Sequence, residues 1–364
     1  MIKINMCISK NILPFGKAWL GFMLLPFMVA CSGDDLEQYA QRADNANEIG
    51  FLPKTETVTR SSYSLDNPHP DNMGVFGYHD LSSNTIDKAA NRIFSNQKVS
   101  YADGVWTYTP VKYWPEYSSY DSFDFLGYMP YTSTATFSYL AGIYTLSFNA
   151  TLDPEKNMAK GADLPLICNL PHHKNTPGQI VNFDMDQTMT GFQLKFKLGA
   201  KMSKVREFEI TNVVVSGTIP YKGKISRSYE LKNGTWQSAP IVWSNVTSKS
   251  ISFPVANNDE NLNAVSLTLN DDDFHEWGQP FFAIPVEGFT PTIKVTYNVK
   301  VADNGTVTRE KVTKSIVFNK DNFANLKVQG LTPGKINSLE IAIVPDHLYI
   351  LADEDQYIGY LVME

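Results

Sequence analysis

Period-two alternation of apolar residues dominates this chain, and that spacing leaves few ways to fold. In Gly191–Leu198 the residues Phe192, Leu194, Phe196 and Leu198 fall on one face, with Gln193, Lys195 and Lys197 on the other. Such alternation is the mark of a half-buried strand, because successive side chains of extended backbone point to opposite sides. Phe208–Val215 follows a charged turn with Val and Ile enrichment, and Gly74–Tyr78 and Ala141–Phe148 are short runs bounded by turn residues. Only Thr85–Phe94 hints at a helix. The chain therefore reads as all-β, and strands this short at this spacing pack as sandwiches with Greek-key connections. After an N-terminal signal is removed, roughly 330 residues remain, enough for two domains of ordinary size. The loop Pro171–Gly178, with two prolines among polar residues, predicts the boundary between domains at 61–170 and 171–364.

The first thirty residues belong to neither domain. Lys3, Lys10 and Lys17, with no acidic residue, precede the apolar run Gly21–Ala30. That is the basic and hydrophobic layout of a secretory signal, too short to span a bilayer. The run ends in Met28-Val29-Ala30-Cys31, which matches a bacterial lipoprotein signal and predicts Cys31 as the acylated first residue of the mature chain. One acyl chain holds a protein only marginally at a membrane, so stable anchoring takes the several chains of a lipoprotein. Residues 31–60 follow the signal and begin with the lipidated cysteine. They run as a polar tether to residue 47 and continue as Glu48–Arg60, whose Thr and Val favour a strand. Pro53 confines that strand to an edge or interrupts it, since proline cannot donate to a ladder.

Charge and motifs then exclude several classes. The net charge is -7, and losing residues 1–30 leaves 28 basic against 38 acidic residues, which disfavours nucleic acid as a partner. The chain lacks G-x-G-x-x-G, G-x-x-x-x-G-K, G-x-S-x-G and H-x-x-x-H patterns. No catalytic constellation follows, and no cofactor is implied. With Cys7 in the signal and Cys31 lipidated, Cys168 has no intramolecular partner. It sits in Leu164–Cys168 as a small buried hydrophobe rather than a nucleophile. Asp271–Glu276 has oxygen ligands but no recognisable cation-binding spacing, so it reads as an acidic surface turn and no metal is assigned. His172 and His173 read as a solvated loop pair.

Two stretches remain. Ten aromatic residues between Trp106 and Tyr131 could stack on sugars, but their number suits filling and rimming a core. At the C-terminus, His347–Leu351 and Gln356–Glu364 flank an acidic turn. In the last stretch Ile358, Tyr360 and Val362 share one face while Tyr357, Leu361 and Met363 share the other. A chain rarely ends on a strand apolar on both faces unless something pairs with it.

Three runs resemble the fimbrillin and Mfa-like family of Bacteroidetes. They are N-Q-x-V at Asn96–Val99, W-x-Y-x-P-x-K-Y-W-P at Trp106–Pro115 and Y-x-P-Y at Tyr128–Tyr131. Phe192–Leu198 and Phe281–Pro285 are similar to the family's second domain, and Ser32–Asp35 resembles the acidic export tag of surface lipoproteins in that phylum. The resemblance implies two transthyretin-like β-sandwich domains in tandem and a role as a subunit of type V pili. It implies a precursor held in the outer membrane by its lipid, cut by an arginine-specific protease and joined to other fimbrial subunits, in a homo- or heteropolymer, by donor-strand exchange. Arg60 stands where cleavage is expected, which makes residues 31–60 a pro-segment, with Arg42 as the weaker alternative. The donor candidates are Leu348, Ile350, Ile358, Tyr360 and Val362. The alternative from a different class is a permanently anchored surface lipoprotein that binds glycans or host ligands through its aromatic-rich first domain.

Overall fold

The computed structural model describes residues 47–55, 70–81, 86–114, 120, 122–159, 161, 163–174, 180–199, 203, 206–258, 264–286, 289–301, 310–317, 331–344, 347–350 and 359–362. They are overwhelmingly strand. In chain order the first ten are β1 (Phe51–Thr55), β2 (Asn72–His79), β3 (Arg92–Ala102), β4 (Val105–Thr107), β5 (Phe123–Met129), β6 (Thr136–Leu140), β7 (Ile143–Thr151), β8 (Leu166–Cys168), β9 (His172–Lys174) and β10 (Val181–Gln187). The next six are β11 (Thr190–Leu198), β12 (Arg206–Lys232), β13 (Thr235–Ser238), β14 (Val242–Pro254), β15 (Leu267–Leu269) and β16 (His275–Ala283). The chain closes with β17 (Thr292–Val301), β18 (Glu310–Val317), β19 (Ile336–Ile343), β20 (His347–Ile350) and β21 (Gly359–Val362).

The all-β expectation holds, and so does the period-two reading of Gly191–Leu198. In β11 Phe192, Leu194, Phe196 and Leu198 are buried while the three polar residues between them are half-exposed. The predicted helix at Thr85–Phe94 shrinks to one 3-10 turn at Ala89–Asn91, because Ile93 and Phe94 are drawn into β3 as core residues. A π-helical turn at Pro154–Met158 was not legible as apolar periodicity. It is built by its cap, with the Asp153 carboxylate accepting from the Glu155 and Lys156 amides (2.9 and 3.2 Å) and proline at the first position.

One sheet has the order β1-β10-β8-β5-β2-β3-β4, with β9 also on β5. Every residue of β5 is buried, so this strand is covered on both faces. On one side Tyr128 packs against Phe148 of β7 (4.5 Å between ring centroids), and the Asp124 carboxylate accepts from the Trp236 indole (2.9 Å). On the other, Phe125 faces Phe51, Phe94 and Trp114. The first face is thus closed by β7, β13 and the C-terminal part of β12.

A second core lies between the three-stranded sheet β16-β11-β19 and the N-terminal part of β12 with β14, β15 and β17. Phe192, Phe196, Phe208, Val213, Phe253, Trp277, Phe281 and Ile293 meet there. The strand common to both cores is β12. Its first half pairs with β17 and its second half with β7. At about 3.3 Å per residue, its 27 residues would reach some 85 Å if straight. Bulges at Pro220–Lys222 and Lys222–Lys224, with Gly217 at φ 140°, bend it between the two cores.

Buried polar groups lock the first sheet to β12. The Arg227 guanidinium donates to the Asp186 carboxylate, the Asn169 side chain (3.2 Å), the Cys168 carbonyl (3.3 Å) and the Ala239 carbonyl (3.1 Å). The Tyr229 hydroxyl donates to the Cys168 carbonyl (2.8 Å). Cys168 is fully buried, as the sequence predicts, and burial raises its thiol pKa, which leaves it a poor nucleophile.

Candidate functional site

The residues that form the site begin with 47–55, the described part of the predicted pro-segment. Ile49, Phe51 and Leu52 are apolar and almost wholly buried, at 1%, 1% and 3% exposure. β1 runs parallel to β10, with Phe51 opposite Val181 and Pro53 opposite Phe183. It occupies the end position of its sheet, where the sequence rule placed a strand containing Pro53. Val181 N–H donates to the Gly50 carbonyl (2.9 Å). In a parallel ladder that points the backbone groups of residues 50 and 52 at β10, and turns Pro53 toward the outer side where its missing N–H costs nothing.

A crossover after β4 holds the segment from the other side. Ile49 N–H donates to the Lys112 carbonyl (3.0 Å), and Trp114 N–H to the Asn47 carbonyl (2.6 Å). The Tyr108 hydroxyl donates to the Ile49 carbonyl (2.8 Å), and burial pushes that phenol well above its ordinary pKa, so it stays a donor. These residues come from the W-x-Y-x-P-x-K-Y-W-P run. Its spacing puts Tyr108, Lys112 and Trp114 along one edge of the inserted segment.

Phe51 is the centre of an aromatic nest. Its ring lies 5.4 Å from Phe94, 5.4 Å from Tyr108, 6.3 Å from Phe125 and 6.0 Å from Phe183, the last in a stacked arrangement. Gly127 makes room beneath, since a Cβ there would stand 3.0 Å from the Phe183 ring. Four hydrogen-bonding groups, the Val181 and Trp114 amides, the Lys112 carbonyl and the Tyr108 hydroxyl, and four rings are therefore committed to a segment of nine residues. Withdrawing it would open a groove walled by β10 and residues 108–114 and floored by Phe94, Phe125 and Phe183.

Other predicted residues are distributed as follows. Cys31, Arg42 and Arg60 lie outside the described residues, as does Ile358. Leu348 and Ile350 are on β20, and Tyr360 and Val362 are on β21. These two strands form an antiparallel hairpin of their own, with Leu348 opposite Leu361 and Tyr349 opposite Tyr360. Among the described residues they pair with no other strand.

Of the aromatic cluster, Trp106, Tyr108, Trp114, Phe123, Phe125 and Tyr128 are buried, and Tyr113 is 53% exposed. Filling a core is thus what most of its described members do. His173 is exposed, as the sequence predicts, but lies on a strand rather than in a loop. It belongs to β9, and its Nδ1 lies 2.8 Å from Asp124, a carboxylate only 2% exposed. In the acidic turn, Asp271 accepts from Ser203 and the Asn270 side chain accepts from the amides of Asp272 and Asp273 (3.1 and 2.9 Å). Among the described residues no group of three or more His, Cys, Asp or Glu could hold a metal ion, and no helix is long and apolar enough to cross a membrane. What the sequence could not reveal is the partner of the pro-segment. β10 lies some 130 positions away, and its own pattern says only that it is a strand.

The chain is thus an all-β protein whose segment 47–55 contributes Ile49, Phe51 and Leu52 to the core. Comparison narrows this. The fimbrillin-like family matches residues 59–338, most of the chain, and the protein belongs to that family. It is similar over 87% of its length to 98% of a fimbrial protein from Bacteroides vulgatus, with 15% identity and a TM-score of 0.49. It is also similar, over 87% of its length in both cases, to candidate cell adhesion proteins from Bacteroides uniformis and Bacteroides ovatus. The first has 12% identity, 98% of that chain covered and a TM-score of 0.38; the second has 14%, 96% and 0.40. No curated protein matches the chain. The family is one of fimbrial structural proteins, which places the chain at the cell surface and with other fimbrial subunits as partners.

Proposed function

We propose that this protein is a structural subunit of a type V fimbria, assembled by donor-strand exchange after its own N-terminal strand is cut away. The observation that carries the proposal is the burial of Ile49, Phe51 and Leu52 in a segment that ends five residues before Arg60. Residues 1–30 direct export, Cys31 carries the lipid, and the precursor is held at the outer membrane surface. Cleavage after Arg60 by an arginine-specific protease frees the subunit from its lipid and its plug together. A donor drawn from Leu348, Ile350, Ile358, Tyr360 and Val362 of a neighbouring copy then enters the groove, contributing to adhesion through the polymer. Each large apolar side chain it buries contributes about 1.5–3 kcal/mol, against a cost of about 1–2 kcal/mol for every residue it orders. The balance favours exchange because the emptied groove is left with unpaired backbone groups.

Two sandwich domains in tandem suit this role, with β12 shared by both cores. The test uses lipid-free precursor treated with an arginine-specific protease. Denaturant-resistant ladders, with a new N-terminus at Ser61, are expected. Trimmed protein that stays monomeric with residues 31–60 gone would refute the proposal.

A further inference from the structure

The segment that plugs the groove and the last strand of the chain share a sequence. Ile49-Gly50-Phe51-Leu52-Pro53 aligns with Ile358-Gly359-Tyr360-Leu361-Val362 without a gap. Isoleucine, glycine and leucine are identical, and an aromatic residue stands at the same place in both. Within the fold the first of these five-residue stretches has an environment for each residue. The Ile49 carbonyl accepts from Tyr108 and the Gly50 carbonyl from Val181, Phe51 fills the aromatic nest, and Leu52 lies opposite Asn182. Gly359–Val362 is itself extended, as β21.

Resting on the fimbrial reading above, we infer that the donor is the segment Ile358–Val362 of a second copy, and that it enters the groove parallel to β10 in the register now held by Ile49–Pro53. Tyr360 then takes the Phe51 position among Phe94, Tyr108, Phe125 and Phe183. Leu361 lies opposite Asn182, and the Ile358 and Gly359 carbonyls accept from the Tyr108 hydroxyl and Val181 N–H. The specificity of the step is self-mimicry, since the groove is already shaped by a strand with the same order of side chains. The one departure has a direction. Val362 carries the N–H that Pro53 lacks, and in this register that N–H sits on the outer edge, so the donor offers one hydrogen-bonding group more than the plug it replaces. Leu348 and Ile350 of β20 do not enter the groove in this arrangement.

Disulfide trapping reads the register. Cα atoms of paired residues on neighbouring strands stand about 5 Å apart, within the range a disulfide spans. In a Cys168→Ala background, protease-trimmed protein carrying Leu361→Cys and Asn182→Cys is expected to give intersubunit disulfide ladders under oxidation. Pairing Asn182→Cys with Tyr360→Cys or with Val362→Cys is expected to give none. Tyr360→Ala should slow ladder formation about tenfold or more through loss of one buried aromatic, and Tyr360→Phe should restore it. Ladders that form with Asn182→Cys linked to another position, or that are indifferent to Tyr360→Ala, would overturn the assigned donor and register while leaving the fimbrial reading intact. Absence of ladders from the unsubstituted trimmed protein would overturn both.

Discussion

At the scale of single residues, Phe51 is the side chain around which the aromatic nest of the first sheet is built. Phe51→Ala should lower the stability of the precursor by about 3–5 kcal/mol, the usual cost of removing a buried aromatic ring. The same substitution should leave the protease-trimmed protein unchanged, because residue 51 is then gone. Thermal or denaturant unfolding of the two forms checks both halves. His79 tests a different property. It stacks on Tyr120 at 3.9 Å, and burial lowers its pKa, with Asp80 opposing. Its folded pKa lies below the unfolded value of about 6.5, so between the two the unfolded chain binds more protons. Stability should fall as pH drops from about 6.5 through the folded value, and His79→Phe should flatten the slope between pH 7.5 and 5.5. Glu209 acts in a separate, lower window. The hydrogen bond from Ser266 is the chief cause that lowers its pKa, so its contribution is lost only below the ordinary carboxylate range.

Among the elements, β1 and β12 have opposite roles. β1 is short, parallel, at an edge and carries a proline, and it is held by Tyr108, Lys112, Trp114 and Val181 rather than by a continuous ladder on both sides. β12 is paired on both sides along much of its length and belongs to both cores. On the proposed reading the first is removed and the second remains. The bend that lets β12 serve both cores passes through Gly217, whose φ of 140° other residues adopt only under strain. Space for a methyl group exists there, the nearest atom being 3.4 Å away. Gly217→Ala should therefore cost about 1–3 kcal/mol through backbone strain alone, measured as a shift in the denaturation midpoint without a change in slope.

For the molecule as a whole, the proposed assembly puts the acceptor groove in the first sheet and the donor in the last strand, so a subunit would give to one neighbour and receive from another. Such a heterologous contact makes an open filament unless rotation closes it into a ring. Removing residues 345–364 should leave a protein that accepts a donor but offers none. Alone, after trimming, it should give no ladder. Mixed with full-length trimmed protein it should shorten the ladders in proportion to its share, and gel electrophoresis without boiling reads the outcome.

How much of this was legible depends on whether the signal was local. Alternation along Gly191–Leu198 specifies a strand because neighbouring side chains alone decide which face is apolar. Pro53 announces an edge because proline lacks a donor wherever it sits, and Cys168 was readable as buried from its apolar neighbours. His173 is exposed, as its sequence context predicts, but its partner Asp124 was not legible because that carboxylate is distant in sequence. The 27 residues of β12 read as a shorter strand because polar and glycine positions interrupt their pattern, and pairing with β7, β14 and β17 overrides that. By itself the sequence determined the all-β class, the strand periodicity and the mimicry between Ile49–Pro53 and Ile358–Val362. Only the tertiary structure decided that Phe51 belongs to the core, that β10 is its partner and that β12 serves both cores. Strand pairing joins residues whose separation along the chain leaves no local trace, and backbone hydrogen bonds, which make the pairing, are the same for every side chain.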